Sequence, residues 1–175
     1  HAHGMKLLLD IVPNHMGVGG ADNPWWLSVL EWGSLSPFAD AFDIDWQRLG
    51  AGRNLVIPFL GDRYGEALEK GTLELRFDPE KGAFSVWHYE HQLPIRPLSY
   101  PTILNRVIAA IGAVDDDTTA ELLAISERLR AMAIDTDETR RKSFPEEAEG
   151  LKRRLAEIYG VSPLIQEATA STLAL

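Results

Sequence analysis

An apolar run that ends in turn-forming and polar residues constrains this chain more than any other feature. Residues 7–12 read Leu-Leu-Leu-Asp-Ile-Val, and Pro13, Asn14 and His15 follow directly. Such a run predicts a strand buried on both faces, as in a parallel sheet covered by helices. Pro13 cannot donate to a sheet ladder and is expected to end the strand. Asn14 and His15 would then follow the carboxyl end of a strand, where α/β barrels build their active sites.

The same residues also have a purely structural interpretation. Asp10 is a carboxylate inside the apolar run and needs a hydrogen-bonding partner, which the backbone can provide. Asn14 can close an Asx-turn. A lone histidine in the position of His15 is more often a hydrogen-bonded boundary residue than a ligand. Taken alone, the residues favour this structural interpretation over a functional site.

The start of the chain resembles the inside of a larger domain. His3 and Gly4 read as the end of a helix, with glycine at the left-handed cap position, directly before the strand. The chain has 175 residues, whereas a complete eight-stranded α/β barrel needs roughly 250. We therefore expect a fragment of a barrel in which the neighbouring strands are missing.

Charge and composition argue against several classes of partner. The formal net charge is −9, so nucleic acids and anionic membrane surfaces would be repelled. The sequence has no cysteine, which rules out a disulfide framework and a thiolate zinc site and fits a reducing, cytoplasmic compartment. No apolar stretch approaches the ~20 residues that cross a bilayer. We expect neither a nucleic acid nor a membrane as partner.

Residues 21–100 show short, mixed elements. Asn23 is a good N-cap and Pro24 suits the first helical position, which predicts a short helix that ends by Gly33. The other predicted elements are a strand over 54–60, helical turns over 64–70, and an antiparallel hairpin of 72–77 with 84–89.

Two groups of side chains in this region invite a functional interpretation. Trp25 and Trp26 could stack on sugar rings, but adjacent helical residues point about 100° apart and both cannot face one ligand. Core packing is therefore favoured. His88 and His91 have a metal-like spacing, but three residues apart on one strand they would face opposite sides. We expect no metal and no cofactor.

The last part of the chain changes to helical periodicity. Apolar stripes predict about four helices in an antiparallel bundle. Capping signals place helix starts at Thr118, at Ser143 and at Ser162–Pro163. The basic residues of 140–142 and 152–154 alternate with glutamates and are expected to form a solvated face.

Several motifs together resemble a known family. Asp10-Ile11-Val12-Pro13-Asn14-His15 is similar to the first conserved region of glycoside hydrolase family 13, the α-amylase family, in which Asp, three residues, Asn and His end the third barrel strand. The downstream motifs resemble, in order and spacing, the maltooligosyltrehalose synthases of that family. These motifs are Asn23-Pro24-Trp25-Trp26, Phe42-Asp43-Ile44-Asp45-Trp46, Pro58-Phe59-Leu60-Gly61, Tyr64-Gly65-Glu66 and Tyr89-Glu90-His91.

The resemblance implies an α+β fragment of a (β/α)8 barrel enzyme. It divides the chain into the third barrel strand and its loop over 1–20, a mixed α/β insertion subdomain over 21–100, and a helical bundle subdomain over 101–175.

The resemblance also implies roles for six residues. Asp10 would support the nucleophile strand, Asn14 would fix the loop, and His15 would donate a hydrogen bond to the sugar. Further residues that would line the wall of the substrate cleft are Trp25, Tyr89 and His91.

The activity that the resemblance implies is that of an isomerase acting on maltooligosaccharides. It moves the reducing-end glucose from an α-1,4 to an α,α-1,1 linkage, the linkage of trehalose. Retention of configuration needs two carboxyl groups about 5 Å apart. The family carries its nucleophile and its acid on later strands, and the sequence offers no credible match for the arginine-x-aspartate pattern of the nucleophile strand. The fragment itself is therefore expected to be inactive.

Two alternatives remain open. The parent could be an α-amylase-family hydrolase or transglycosylase that acts on other α-glucans, or the piece could be a non-catalytic carbohydrate-binding or structural module. In either case, an apolar strand without its neighbours would expose unpaired edges, so we expect the fragment to self-associate.

Overall fold

Helices and antiparallel strands occupy separate stretches of the chain. The computed structural model describes residues 8–10, 16–49, 55–113 and 116–174. In these residues the elements are α1 Pro24–Trp32, α2 Trp46–Leu49, α3 Tyr64–Glu69, β1 Glu74–Asp78, β2 Ala83–His88, β3 His91–Pro94, α4 Tyr100–Ile111, α5 Asp117–Ile134, α6 Glu138–Arg141, α7 Phe144–Val161 and α8 Pro163–Leu173.

The four-helix prediction is confirmed by α4, α5, α7 and α8, which pack side by side. Side-chain caps start α5 and α8. Ser143 precedes α7 as predicted, but its side chain makes no cap and its hydroxyl donates to the Arg140 carbonyl instead. The Asp116 carboxylate, two residues before the predicted start, accepts from the backbone N–H groups of Thr118 and Thr119 at 2.8 and 3.0 Å. Hydrogen bonds from these two threonines lower the pKa of Asp116 to about 2. The hydroxyl of Ser162 caps α8, as predicted, by accepting from the Ile165 N–H.

The sheet has three antiparallel strands in the order β1-β2-β3. The predicted hairpin is confirmed, with Phe77 opposite Phe84. The strand β3 was not predicted; it follows β2 after a turn at Tyr89 and Glu90. The strand predicted over 54–60 is wrong for its described part, 55–60, which pairs with no strand. Pro58 removes a backbone donor there, and Phe59 and Leu60 instead line a groove on the apolar face of the sheet.

One apolar core joins the sheet to the bundle. It contains Trp32 of α1, Phe84 of β2 and Tyr100 of α4 together with the inner faces of the four bundle helices. The Tyr100 hydroxyl accepts a hydrogen bond from the Phe84 N–H at 3.0 Å, and the two rings meet edge to face. Burial raises the pKa of Tyr100, against the opposing effect of this hydrogen bond, so the phenol stays neutral in the core.

The apolar run near the start does not form the predicted buried strand in its described part. Residues 8–10 have no regular secondary structure, and Leu8 and Leu9 are 94% and 72% exposed. A strand buried on both faces needs neighbouring strands and covering helices, and the described sheet lies entirely between residues 74 and 94. Residues 11–15 lie outside the described part of the chain. The barrel therefore stays a prediction.

Lys152 corrects the expectation of a solvated basic face. It lies on α7, and its side chain is only 9% exposed. The ammonium Nζ contacts Oε1 of Glu31 on α1 at 3.1 Å and Oε1 of Glu149 at 2.6 Å. Burial raises the pKa of Glu31, against the opposing effect of Lys152. Burial would lower the pKa of Lys152, but the two carboxylates outweigh this effect and raise it.

We expect Lys152→Met to destabilise the protein by about 3–5 kcal/mol at pH 7, because it leaves the Glu31 carboxylate buried without its counter-charge. Since the pKa of Glu31 is raised, the carboxylate takes up a proton as the pH falls towards its ordinary pKa, and the loss should shrink there. Urea unfolding at pH 7 and pH 4.5 measures both effects.

The double variant with Glu31→Gln should be more stable than Lys152→Met alone. Lys142→Met, which removes an exposed lysine, is the charge-matched control. Equal, small losses for both lysines would contradict a buried ion pair.

The hairpin turn packs directly on the same part of α7. Gly82 has a φ of +59°, and a Cβ built there would lie 1.9 Å from the Lys152 carbonyl oxygen. Only glycine therefore fits between β1 and β2 at this close approach.

Two alanine substitutions separate this close approach from backbone strain. Gly71 has a similar φ of +66° but no atom within 4 Å of a built Cβ. Gly71→Ala should cost roughly 1 kcal/mol from the left-handed conformation alone. Gly82→Ala should cost at least about 2 kcal/mol more, because backbone atoms on α7 must move. Thermal and urea unfolding compare the two. Equal losses would show that the turn does not pack on α7.

Candidate functional site

Asn23 organises the segment that precedes α1. Its side-chain Oδ1 accepts from the N–H groups of Trp25 and Trp26 at 3.1 and 3.0 Å, which confirms the predicted N-cap. Its Nδ2 donates to the Gly17 carbonyl at 2.7 Å. One amide side chain therefore starts the helix and holds the loop of residues 16–20 against it.

The same loop contacts the turn between β2 and β3. The backbone N–H of Gly20 donates to Nδ1 of His91 at 3.2 Å. Because Nδ1 accepts, a neutral His91 carries its proton on Nε2, which lies 3.8 Å from Oε1 of Glu90. This long-range bond brings two separate sequence motifs together, the loop before α1 and the Tyr89-Glu90-His91 turn.

Trp25 forms one wall of a cleft beside this loop. The cleft has a volume of about 560 Å³ and is lined by Met16, Gly17, Gly19, Asp22, Asn23, Pro24 and Trp25. The Trp25 ring is 43% exposed and stacks on Phe38 with the ring centroids 5.0 Å apart and the planes 8° apart. Trp26 instead packs on Phe42. The two tryptophans thus contact different rings, as the helical geometry predicts, and only Trp25 lines the cleft.

The two histidines of the turn do not face opposite sides, which corrects the sequence-based argument. His88 and His91 are directly paired across β2 and β3, because the chain reverses at residues 89 and 90. Paired residues of an antiparallel ladder share one face. The Phe59 ring packs against both histidine rings, with its centroid 5.8 Å from that of His88 and 6.2 Å from that of His91. His88 is buried and bonds the Thr72 carbonyl through Nδ1, so it serves the structure.

Tyr89 occupies the turn in an unusual conformation. Its φ is 51°, in the left-handed region, where non-glycine residues are uncommon. The side chain is 70% exposed and contacts the His88 ring at a centroid distance of 4.5 Å. An exposed aromatic ring therefore packs on His88 at the turn that leads into His91.

The structure brings together some predicted site residues and leaves others apart. The segment before α1 contacts both Trp25 and His91: Asn23 accepts from the Trp25 N–H, and the Gly20 N–H donates to His91. Asp10 is exposed and in no regular element. Asn14 and His15 lie outside the described residues.

Sequence reasoning missed two aromatic residues at the site, Phe38 and Phe59. Each supports a predicted residue from a separate loop, and no local spacing connects either ring with its partner.

The site offers binding chemistry. It presents the exposed Trp25 ring, the Asn23 side chain in the cleft lining and the half-buried His91 on the neighbouring turn. The acids nearest to it, Asp22 and Glu90, are both exposed, and no buried carboxylate pair flanks the cleft among the described residues. Within the same residues no group of three or more His, Asp or Glu side chains is arranged to hold a metal ion. No described helix is both long enough and apolar enough to cross a membrane.

The chain is similar to two curated proteins from two strains of Mycobacterium tuberculosis, each named "Putative maltooligosyl trehalose synthase". Each is 42% identical over 90 aligned residues, and the match covers 46% of this chain. The chain spans only 12% of the length of these relatives. No protein-family model matches the chain, and no solved structure gives a significant match.

Two substitutions at Asn23 separate its two roles. Asn23→Ala removes both the cap and the bond to Gly17, and should lower the free energy of unfolding by about 1–2 kcal/mol. Asn23→Asp keeps the capping oxygen but loses the Nδ2 donor, so most of that stability should remain. Hydrogen exchange at the Gly20 amide should accelerate in both variants, because the loop is no longer tied to α1. Unchanged exchange in both variants would show that Asn23 does not hold the loop.

Proposed function

We propose that this chain is part of a maltooligosyltrehalose synthase and supplies one wall of its substrate cleft. The observation that carries this proposal is the 42% identity to the two proteins of that name. The substrate would be a maltooligosaccharide, and the reaction would convert its reducing-end α-1,4 linkage into an α,α-1,1 linkage. The enzyme would be an isomerase.

The geometry supports a sugar-binding wall. Sites for neutral ligands combine apolar or aromatic surface with a few placed polar groups. Trp25 supplies the aromatic surface, Asn23 a polar amide, and the turn at Tyr89 a second exposed ring. The hydrogen bond between Gly20 and His91 fixes the loop between these groups.

The reaction chemistry would come from the rest of the enzyme. A retaining glycosyl transfer needs two carboxyl groups about 5 Å apart, one of them kept protonated by an apolar environment. Asp22 and Glu90, the acids beside the cleft, are both solvent-exposed. This observation also favours the second candidate, a carbohydrate-binding module without catalysis. The two candidates differ in what the longer protein does and agree on sugar binding by this chain.

Titration of the isotope-labelled chain with maltopentaose tests the proposal. We expect saturable NMR shifts of the Trp25 indole and of the amides of 16–20 and 89–91. Trp25→Ala and Tyr89→Ala should each weaken binding about tenfold, as expected when a stacked ring worth about 1.4 kcal/mol is lost. Tyr64→Ala is the matched control, since Tyr64 is a similarly exposed tyrosine on α3, at 65%. Cellopentaose, which differs in its linkage, should not produce the shifts.

The same samples give the catalytic readout. Reducing-sugar content should stay at the level of the blank, because loss of the reacting carboxylates removes the chemistry itself. The longer protein should yield a non-reducing product of unchanged length if it is a mutase. Turnover by this chain alone, or absence of saturable maltopentaose binding, would contradict the proposal.

A further inference from the structure

The loop of residues 16–20 lines the cleft at the proposed sugar wall and packs on little else. Its sequence is Met-Gly-Val-Gly-Gly. Met16 and Val18 are exposed, and a Cβ built on Gly17 or Gly19 would meet no atom within 4 Å. Glycine loses more conformational freedom on ordering than any other residue. Among the described residues, two hydrogen bonds connect this loop to the rest of the chain, and its position depends on them.

These two hydrogen bonds respond differently to a proton. Near one end of the loop, the Asn23 amide donates to the Gly17 carbonyl at 2.7 Å, and an amide does not change charge near neutral pH. At the other end, the Gly20 N–H donates to Nδ1 of His91 at 3.2 Å. A neutral imidazole can accept such a bond, but both ring nitrogens of a protonated histidine are donors. The bond from Gly20 therefore exists only while His91 is neutral.

The contact between the loop and the turn leaves a proton on Nδ1 little room. A Cβ built on Gly20 would lie 3.9 Å from the Glu90 carbonyl oxygen, so the end of the loop lies directly against the turn. A proton on Nδ1 of His91 would point at the N–H of Gly20. Because two facing donors repel each other, protonation must separate the ring from the loop.

The Glu90 carboxylate is the one acidic group within 4 Å of the His91 ring nitrogens among the described residues. Its Oε1 lies 3.8 Å from Nε2, and its side chain is mostly exposed. Asp22 and Tyr89, the ionisable residues that flank this contact in sequence, are both exposed. A positive charge on the ring strengthens the attraction between Nε2 and Glu90 while the bond at Nδ1 is lost. One proton therefore holds the ring on the turn and frees the loop.

The other described elements against the ring bring one ionisable side chain, that of His88. It is paired directly with His91 across β2 and β3. Its Nδ1 contacts a backbone carbonyl at 3.0 Å, and a protonated histidine can keep that bond because both nitrogens donate. Residues 55–60, which contact the ring through Phe59, and the loop of residues 16–20 contain no ionisable side chain. His91 is thus the group whose protonation breaks a bond to the loop.

We propose that His91 is a positioning residue whose protonation releases the loop of residues 16–20 and so weakens the binding of a maltooligosaccharide in the cleft beside Trp25. Histidine is the side chain that ordinarily changes charge between pH 5 and 8. The loop is held above this range and released below it. The effect on the oligosaccharide rests on the proposed function, whereas the release of the loop follows from the bond at His91 alone.

A pH titration of the isotope-labelled chain from pH 8 to pH 5.5 measures the release. This range stays above the ordinary pKa of carboxylates, about 4, which separates the protonation of histidine from that of the acids. The NMR signals of the His91 ring report its protonation, and the Gly20 amide signal should move with the same midpoint. Maltopentaose should bind about two- to tenfold more weakly at pH 5.5 than at pH 8, the range that one hydrogen bond contributes.

Two substitutions of His91 keep or remove the acceptor without a titrating group. His91→Asn places a carbonyl oxygen near the position of Nδ1, so the Gly20 signal and the affinity should no longer depend on pH. His91→Phe keeps a ring against Phe59 but has no acceptor, so the loop should be released and the affinity low at both pH values. Glu90→Gln is the control, since it removes the neighbouring carboxylate and should leave the Gly20 transition in place.

The outcomes separate the release of the loop from the sugar wall. His91 ring signals that do not change in this range, a Gly20 signal that stays constant while His91 titrates, or the same pH dependence in His91→Asn would overturn the proposal. Equal maltopentaose affinity at both pH values, with a Gly20 signal that follows His91, would overturn it as well. A Gly20 transition that follows His91 without maltopentaose binding at any pH would support the release of the loop and contradict the proposed function.

Discussion

The buried contact between Lys152 and Glu31 joins residues 121 positions apart and fixes how α1 sits on the rest of the molecule. Its ammonium is held by carboxylates from two helices, and the carbonyl of the same residue meets the hairpin turn at Gly82. Three elements therefore meet at one turn of α7. A charge this buried is stable only while its partners are present, so the position of α1 is strongly determined.

The orientation of α1 matters because each of its ends is tied to another part of the molecule. Its first turn carries Trp25 and the capping interactions of Asn23, and its end carries Gly33 beside Arg96. Glu31 lies near the end of α1. Its carboxylate pairs with Lys152, and its backbone carbonyl accepts a hydrogen bond from Arg96. A shift of this one helix would alter the proposed sugar wall at one end and the surroundings of Arg96 at the other.

Sequence reasoning succeeded where a structure is decided by neighbouring residues. Asn23, Pro24 and Gly33 predicted the bounds of α1, and the hairpin of β1 and β2 followed from alternation and a glycine turn. It failed where the deciding partner is remote. Nothing near Lys152 in the sequence indicates that Glu31 will bury it, and Tyr89 is not a residue that signals a tight turn.

The candidate site shows the same division. Trp25 and His91 were selected by resemblance to family motifs, yet the bond that connects their segments, from Gly20 to His91, could not be read from either motif. Phe38 and Phe59 were not selected as site residues for the same reason, since each meets its partner only after the chain has folded.

Tyr89 has a backbone conformation that bears on the recognition role proposed for this site. A tyrosine in the left-handed region carries a conformational cost of the order of 1 kcal/mol that glycine would avoid. The ring is mostly exposed, so burial returns little of that cost. Strained residues of this kind cluster at ligand-binding positions, where the side chain matters more than the backbone energy. The exposed ring of Tyr89 therefore supports the sugar-binding wall that we propose, since its conformation costs stability that its own burial does not return.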